Sequence, residues 1–136
     1  MDIHGIAPLL QVFDMPAAIH FYRDVLGFRV HATSEPRDNC SWAWLKLKGA
    51  ELMLNTAYEA NQRPAAPQPV RVGAHDDTCL FFGCKDQDAA YQRLRDHGVD
   101  LNEPKVAPYG MKQLWFHDPD GSSLCFQWPT NQQKPA

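Results

Sequence analysis

Short apolar runs punctuated by polar turns recur along the chain in two sets. The first set is Ile6–Phe13, Phe28–Ser34, Ser41–Lys48 and Glu51–Thr56, and the second is Thr78–Lys85, Val99–Leu101, Met111–Phe116 and Ser123–Trp128. Each run has the length and residue types of a β-strand. Between the first and second run of each set the period becomes helical. Ala18, Phe21, Tyr22 and Val25 fall on one face of a helix predicted over Met15–Leu26. Ala90, Leu94 and His97 do the same in a helix that opens at Asp88 and reaches its C-terminal boundary at Gly98. Asp14 and Asp86 stand where N-caps belong, Pro16 lies in a first turn, and Gly27 stops the first helix. Both halves therefore read β-α-β-β-β, the second about seventy residues after the first, which is the signature of an internal repeat. The expected limits are residues 4–57 for module one, 58–75 for a linker and 76–129 for module two. Within that linker Asn61–Gly73, with Pro64, Pro67 and Pro69, reads as an extended segment, and Pro129–Ala136 reads as a loose tail.

Composition narrows the class of protein without changing this outline. A chain of 136 residues can bury a core without disulfides or a structural metal, so a single domain covering both modules is expected. Hydrophobic residues make up 44% and charged residues 21%, and no apolar run is long enough to span a bilayer, which excludes a disordered tail and a membrane partner. The start Met1-Asp2-Ile3-His4-Gly5 lacks the basic and apolar regions of a secretory signal, making the cytoplasm the expected compartment. Cys40, Cys79, Cys84 and Cys125 are widely spaced within apolar runs and read as buried thiols. A net charge of −3 with interspersed signs gives no basic block for nucleic acid.

The segment Asp14-Met-Pro-Ala-Ala-Ile-His-Phe-Tyr-Arg-Asp-Val-Leu-Gly-Phe28 resembles the opening helix of the glyoxalase/bleomycin resistance proteins of the vicinal oxygen chelate superfamily. Asp118-Pro119-Asp120-Gly121 is similar to that family's turn into its final strand. The resemblance implies an α+β fold in which two β-α-β-β-β modules form curled mixed sheets around a cleft, commonly completed in a homodimer. It also implies where a metal would sit. Metal-dependent members carry histidine or glutamate ligands at positions that here are Ala7, Met53, Cys79 and Cys125. None offers the oxygen or imidazole that a hard divalent ion requires, so neither a metal nor another cofactor is expected. A soft-metal site using the Cys79 and Cys125 thiols, with His4 or His75 nearby, is the weaker alternative to paired core thiols.

Period-two alternation assigns the strand faces. Ala43, Leu45 and Leu47 go to the core, leaving Trp42, Trp44 and Lys46 toward the cleft; Leu10 and Val12 go to the core, leaving Leu9 and Gln11. In module two Phe81 lies beside Cys79, Gln113 and Trp115 lie opposite Leu114 and Phe116, and Gln127 lies next to Cys125. With Glu51, these residues make an expected ligand-binding set of Gln11, Trp42, Trp44, Lys46, Glu51, Phe81, Gln113, Trp115 and Gln127. Aromatic rings with amides and a few charges suit a flat amphipathic molecule. Tyr109-Gly110 reads as a loop at the rim, and His117 receives no chemical role. The function expected is sequestration of an aromatic or amphipathic compound, a cationic one included, as in antibiotic resistance by binding without metal or turnover. The alternatives are a metalloenzyme of the family, acting as a glyoxalase, dioxygenase or thiol transferase at an atypical centre, and a structural or regulatory dimer whose cleft its own side chains close.

Overall fold

Asp14 accepts the backbone N–H of Ala17 at 3.2 Å, and Asp86 accepts that of Ala89 at 3.0 Å, so each module starts its helix on a carboxylate cap. The structure, a computed structural model, describes residues 1–58 and 60–130. Its element order is β1 (Leu9–Val12), α1 (Met15–Ile19), a π-helical continuation (His20–Val25), β2 (Arg29–Thr33), β3 (Trp42–Leu47) and β4 (Ala50–Thr56). Then come a 3-10 turn (Ala60–Gln62), α2 (Pro69–Gly73), a second 3-10 turn (Ala74–Asp77), β5 (Cys79–Gly83), α3 (Gln87–Asp96), β6 (Lys105–Val106), β7 (Met111–His117) and β8 (Ser123–Pro129). Two compact units result, Met1–Gln68 and Pro69–Ala136.

Each unit holds one four-stranded mixed sheet, ordered β1-β4-β3-β2 in the first and β5-β8-β7-β6 in the second. The first strand of each unit pairs parallel with the last, and the remaining pairs are antiparallel. α1 packs on β4, and α3 packs on β7 and β8. In the first unit Val12, Ala18, Ile19, Tyr22, Leu45, Leu52 and Leu54 are buried; in the second Leu94, Leu114, Phe116 and Leu124 are. A leucine fully removed from water contributes about 2 kcal/mol, so these positions hold each helix to its sheet.

Five details differ from the sequence expectations. The first helix widens to π geometry from His20, with Leu26 N–H bonding Phe21 C=O at 3.0 Å before Gly27 turns away at φ 95°. Val99–Leu101 is not a strand, because the α3 C-terminus uses Val99: its N–H bonds back to Leu94 C=O at 3.0 Å around Gly98, and the edge strand forms later, at Lys105–Val106. The expected extended linker contains α2, since Pro69 is pre-set for a first helical position. His97 is exposed and turns its Nδ1 to Arg93 C=O at 2.8 Å, so it leaves the apolar face. Leu47 is also exposed, at the end of β3 where the chain turns through Lys48 at φ 51°. The expected tail beyond Thr130 lies outside the described residues.

Candidate functional site

Strand register assembles the expected site residues into two clusters, each on the sheet face turned away from the packed helix. On the first sheet Leu9, Met53 and Trp44 share one cross-strand row, and Gln11, Asn55 and Trp42 share the next. On the second, Phe81, Cys125 and Trp115 share a row, and Gly83, Gln127 and Gln113 the next. The two sheets thus repeat one design. Trp44 opposite Met53 corresponds to Trp115 opposite Cys125.

In the first cluster Trp44 donates its indole N–H to Glu51 Oε1 at 3.0 Å. Lys46 Nζ lies 3.6 Å from the same oxygen and 4.7 Å from the centroid of the indole ring, a cation–π contact. The His31 ring meets Trp44 edge-on at 4.8 Å. His31 sits at the irregularity where β2 shifts register against β3 between Val30 and Ala32. Beside this group Asn55 Nδ2 donates to Gln11 Oε1 at 3.3 Å. Trp42 is half-buried on the same face.

In the second cluster Phe81 and Trp115 form a T-shaped pair with centroids 5.3 Å apart. They belong to the two strands that flank β8, whose backbones lie about 10 Å apart, so the rings lean together over Cys125 between them. Cys125 is accordingly 0% exposed, while Phe81 and Trp115 remain 50% and 46% exposed. Trp115 donates to Gln113 Oε1 at 3.3 Å, and Gln113 donates to Gln127 Oε1 at 3.0 Å and to the Tyr109 hydroxyl at 2.9 Å.

The positions at which the family resemblance implies metal ligands offer little to an ion here. Ala7 has only a methyl group and Met53 a thioether. Burial pushes the Cys125 thiol up to about 11, with a smaller push from neighbouring Cys79, and burial also raises the Cys79 thiol. Two soft sulfurs, with no oxygen or imidazole beside them, do not make the ligand set of a hard ion. His4 and His75 bring no help: His4 Nε2 pairs with Asp2 at 2.7 Å, and His75 Nδ1 lies 2.7 Å from Asp120 C=O. Among the described residues no group of three or more histidine, cysteine or acidic side chains stands ready to hold an ion. These residues do not fit a hard divalent metal.

Three features were not singled out from sequence as site residues. His31 and Asn55 join the first cluster, and Tyr109, read only as part of a rim loop, joins the second through its hydroxyl. A bulge and a cross-strand contact cause the first two, and periodicity carries no trace of either. The first unit also contains a polar cavity of about 200 Å³ lined by Glu35, Arg37, Cys40, Ser41, Tyr58 and Arg63, among others. Most of its residues come from irregular segments, which leave no periodic signal.

Two β-α-β-β-β modules, each with a mixed four-stranded sheet and a capped helix, define the vicinal oxygen chelate fold. The chain belongs to the Glyoxalase/Bleomycin resistance protein/Dioxygenase superfamily, whose family model matches residues 3–126. Among solved structures it is similar to TnmS3, an antibiotic binding protein from Streptomyces sp. CB03234, at 27% identity over 96% of this chain and 99% of that one, with a TM-score of 0.68. An integron cassette protein from the mobile metagenome of V. cholerae matches at 25% identity over 93% of this chain and 96% of that one, with a TM-score of 0.64. A glyoxalase/bleomycin resistance protein/dioxygenase from Nocardioides, 21% identical over 100% of this chain and 90% of that one with a TM-score of 0.70, shares the fold. No curated protein matches the sequence. No helix among the described residues is long and apolar enough to cross a membrane.

Proposed function

We propose that this protein is a small-molecule binding protein of the bleomycin resistance kind, which sequesters an aromatic or amphipathic compound without a metal. The observation that carries this reading is the duplicated tryptophan row. Trp44 and Trp115 occupy corresponding places in the two modules, each flanked by polar side chains that hold its indole N–H. Half-exposed rings supply apolar contact area, and the Glu51, Lys46, Gln113 and Gln127 groups around them supply orientation. The nearby carboxylate of Glu51 suits a cationic ligand as well as a neutral one. The antibiotic-binding description of TnmS3, which matches over nearly the whole of both chains, supports a small-molecule ligand.

The poor fit of Ala7, Met53, Cys79 and Cys125 to a hard cation counts against the family's metal-assisted reactions. The proposal therefore includes no catalytic residue. It includes the nine sequence-assigned residues as ligand contacts, with His31 and Tyr109 added, and a homodimer in the cytoplasm as the working form. Titration with a panel of planar aromatic compounds, followed by tryptophan fluorescence, tests it. Saturable quenching at micromolar concentration is the expected result, and a flat response to the whole panel would refute it.

A further inference from the structure

The amide and indole cluster of the second sheet has a direction. An indole nitrogen only donates, and Trp115 Nε1 lies 3.3 Å from Gln113 Oε1. That contact fixes the Gln113 oxygen toward the indole and leaves Nε2 on the other side, where its hydrogens go to Gln127 Oε1 and the Tyr109 hydroxyl oxygen. Gln113 is 7% exposed, so turning the amide over would set donor against donor in a place nearly closed to water. The orientation then propagates. Gln127 accepts through its oxygen and has its Nε2 hydrogens to offer; Tyr109 accepts through its hydroxyl oxygen and has that group's own hydrogen to offer. Each acceptor oxygen of the cluster takes one hydrogen bond within it, and these remaining hydrogens have no acceptor partner among the described residues. Tyr109 is 61% exposed and Gln127 half-buried, so both can be reached from solvent.

We infer that the second sheet selects planar aromatic ligands bearing a carbonyl-type acceptor, an aryl ketone or quinone-like arene whose oxygen takes the Gln127 and Tyr109 hydrogens while its ring lies against Trp115 and Phe81. This deepens the aromatic-ligand reading above and rests on it. Trp115 has two roles in this arrangement: its ring is a contact surface, and its N–H is the pin that sets the polarity of the amide relay. A carbonyl oxygen has two lone pairs and accepts from both donors at once.

A matched pair of probes separates the two levels of the argument. 9-Oxofluorene-2-carboxylate and fluorene-2-carboxylate share a ring frame and a charge and differ in one carbonyl. Isothermal titration of the full chain is expected to favour the ketone by about tenfold, the scale of one to two net neutral hydrogen bonds. Trp115→Phe keeps a ring and removes the pin; Gln127→Met and Tyr109→Phe remove the donors. Each variant is expected to lower the ketone preference, and the double variant Gln127→Met with Tyr109→Phe to bring the ratio close to one. Equal affinity of the wild-type protein for both acids overturns the inference and leaves aromatic binding standing. A preference that survives the double variant overturns it too, because the selectivity then arises elsewhere. Binding of neither acid counts against both levels.

Discussion

At the scale of single residues, Trp44 and Trp115 connect strand register to chemistry. Each opposes a sulfur-bearing residue, Met53 or Cys125, at a position where the family resemblance implies a metal ligand. Each also gives its indole N–H to a polar side chain rather than to water. Replacing either with alanine removes a contact surface worth about 1 kcal/mol beyond its area, so Trp44→Ala and Trp115→Ala are expected to weaken an aromatic ligand by about tenfold. Calorimetry on variants with unchanged circular dichroism checks this, and unchanged affinity in both contradicts it. Period-two alternation was enough to place Trp42, Trp44, Lys46, Gln113, Trp115 and Gln127 on one type of face, because side-chain direction along a strand follows from the backbone alone. It could not pair them. Which amide meets which indole depends on cross-strand register, and His31 reaches Trp44 through a local irregularity that alternation assumes away.

Cys125 makes a separate residue-scale prediction. Burial raises its folded pKa to about 11, above the ordinary thiol value near 8.5, so the folded state holds a proton that the unfolded state releases. The resulting stability is fully present below about pH 8.5 and is lost as pH rises toward 11. Denaturation midpoints should fall across that interval, and Cys125→Ala should flatten the fall even though it costs some packing. A slope unchanged in the variant would assign the pH dependence to other groups.

At the scale of elements, the helix starts were the most legible part of the chain. Asp14 and Asp86 cap as their positions imply, because an aspartate before an apolar helical period satisfies backbone N–H groups locally, with no help from tertiary contacts. Asp14→Ala or Asp86→Ala is expected to cost about 1 kcal/mol in chemical denaturation, and a loss near zero in both would show that packing alone fixes these helices. The edge strand of module two was illegible for the opposite reason. Val99–Leu101 has strand composition, but the helix C-terminus captures the Val99 N–H, a tertiary outcome that propensity does not contain. Glycines at the turns give a graded test. Gly98 and Gly121 both adopt left-handed backbone, but a Cβ at Gly98 meets open space while one at Gly121 comes within 3.3 Å of Val72 Cγ1. Gly121→Ala should therefore destabilise more than Gly98→Ala, which should cost about 1 kcal/mol. Equal losses would show that the Val72 contact yields freely.

At the scale of the whole molecule, the repeat is what joins fold to function. Duplicating one β-α-β-β-β module duplicates its register, so a tryptophan facing a helix-free sheet surface occurs twice. The two copies differ in polarity. The first surrounds its indole with a carboxylate and an ammonium group, and the second with amides and a phenol. The family motifs at Asp14–Phe28 and Asp118–Gly121 made the fold readable from sequence, since here they build a helix cap and a tight turn from local hydrogen bonds. They carry no information about the ligand, because the residues that would touch it lie on strands outside both motifs.

The central claim is that an aromatic compound binds without a metal. Isothermal titration of chelator-dialysed protein with the strongest ligand from the fluorescence panel tests it most directly, with a parallel titration after addition of zinc or manganese. Equal dissociation constants in the two titrations are the predicted result. Binding that appears only once the metal is restored would contradict the account and return the Cys79 and Cys125 positions to a metal centre.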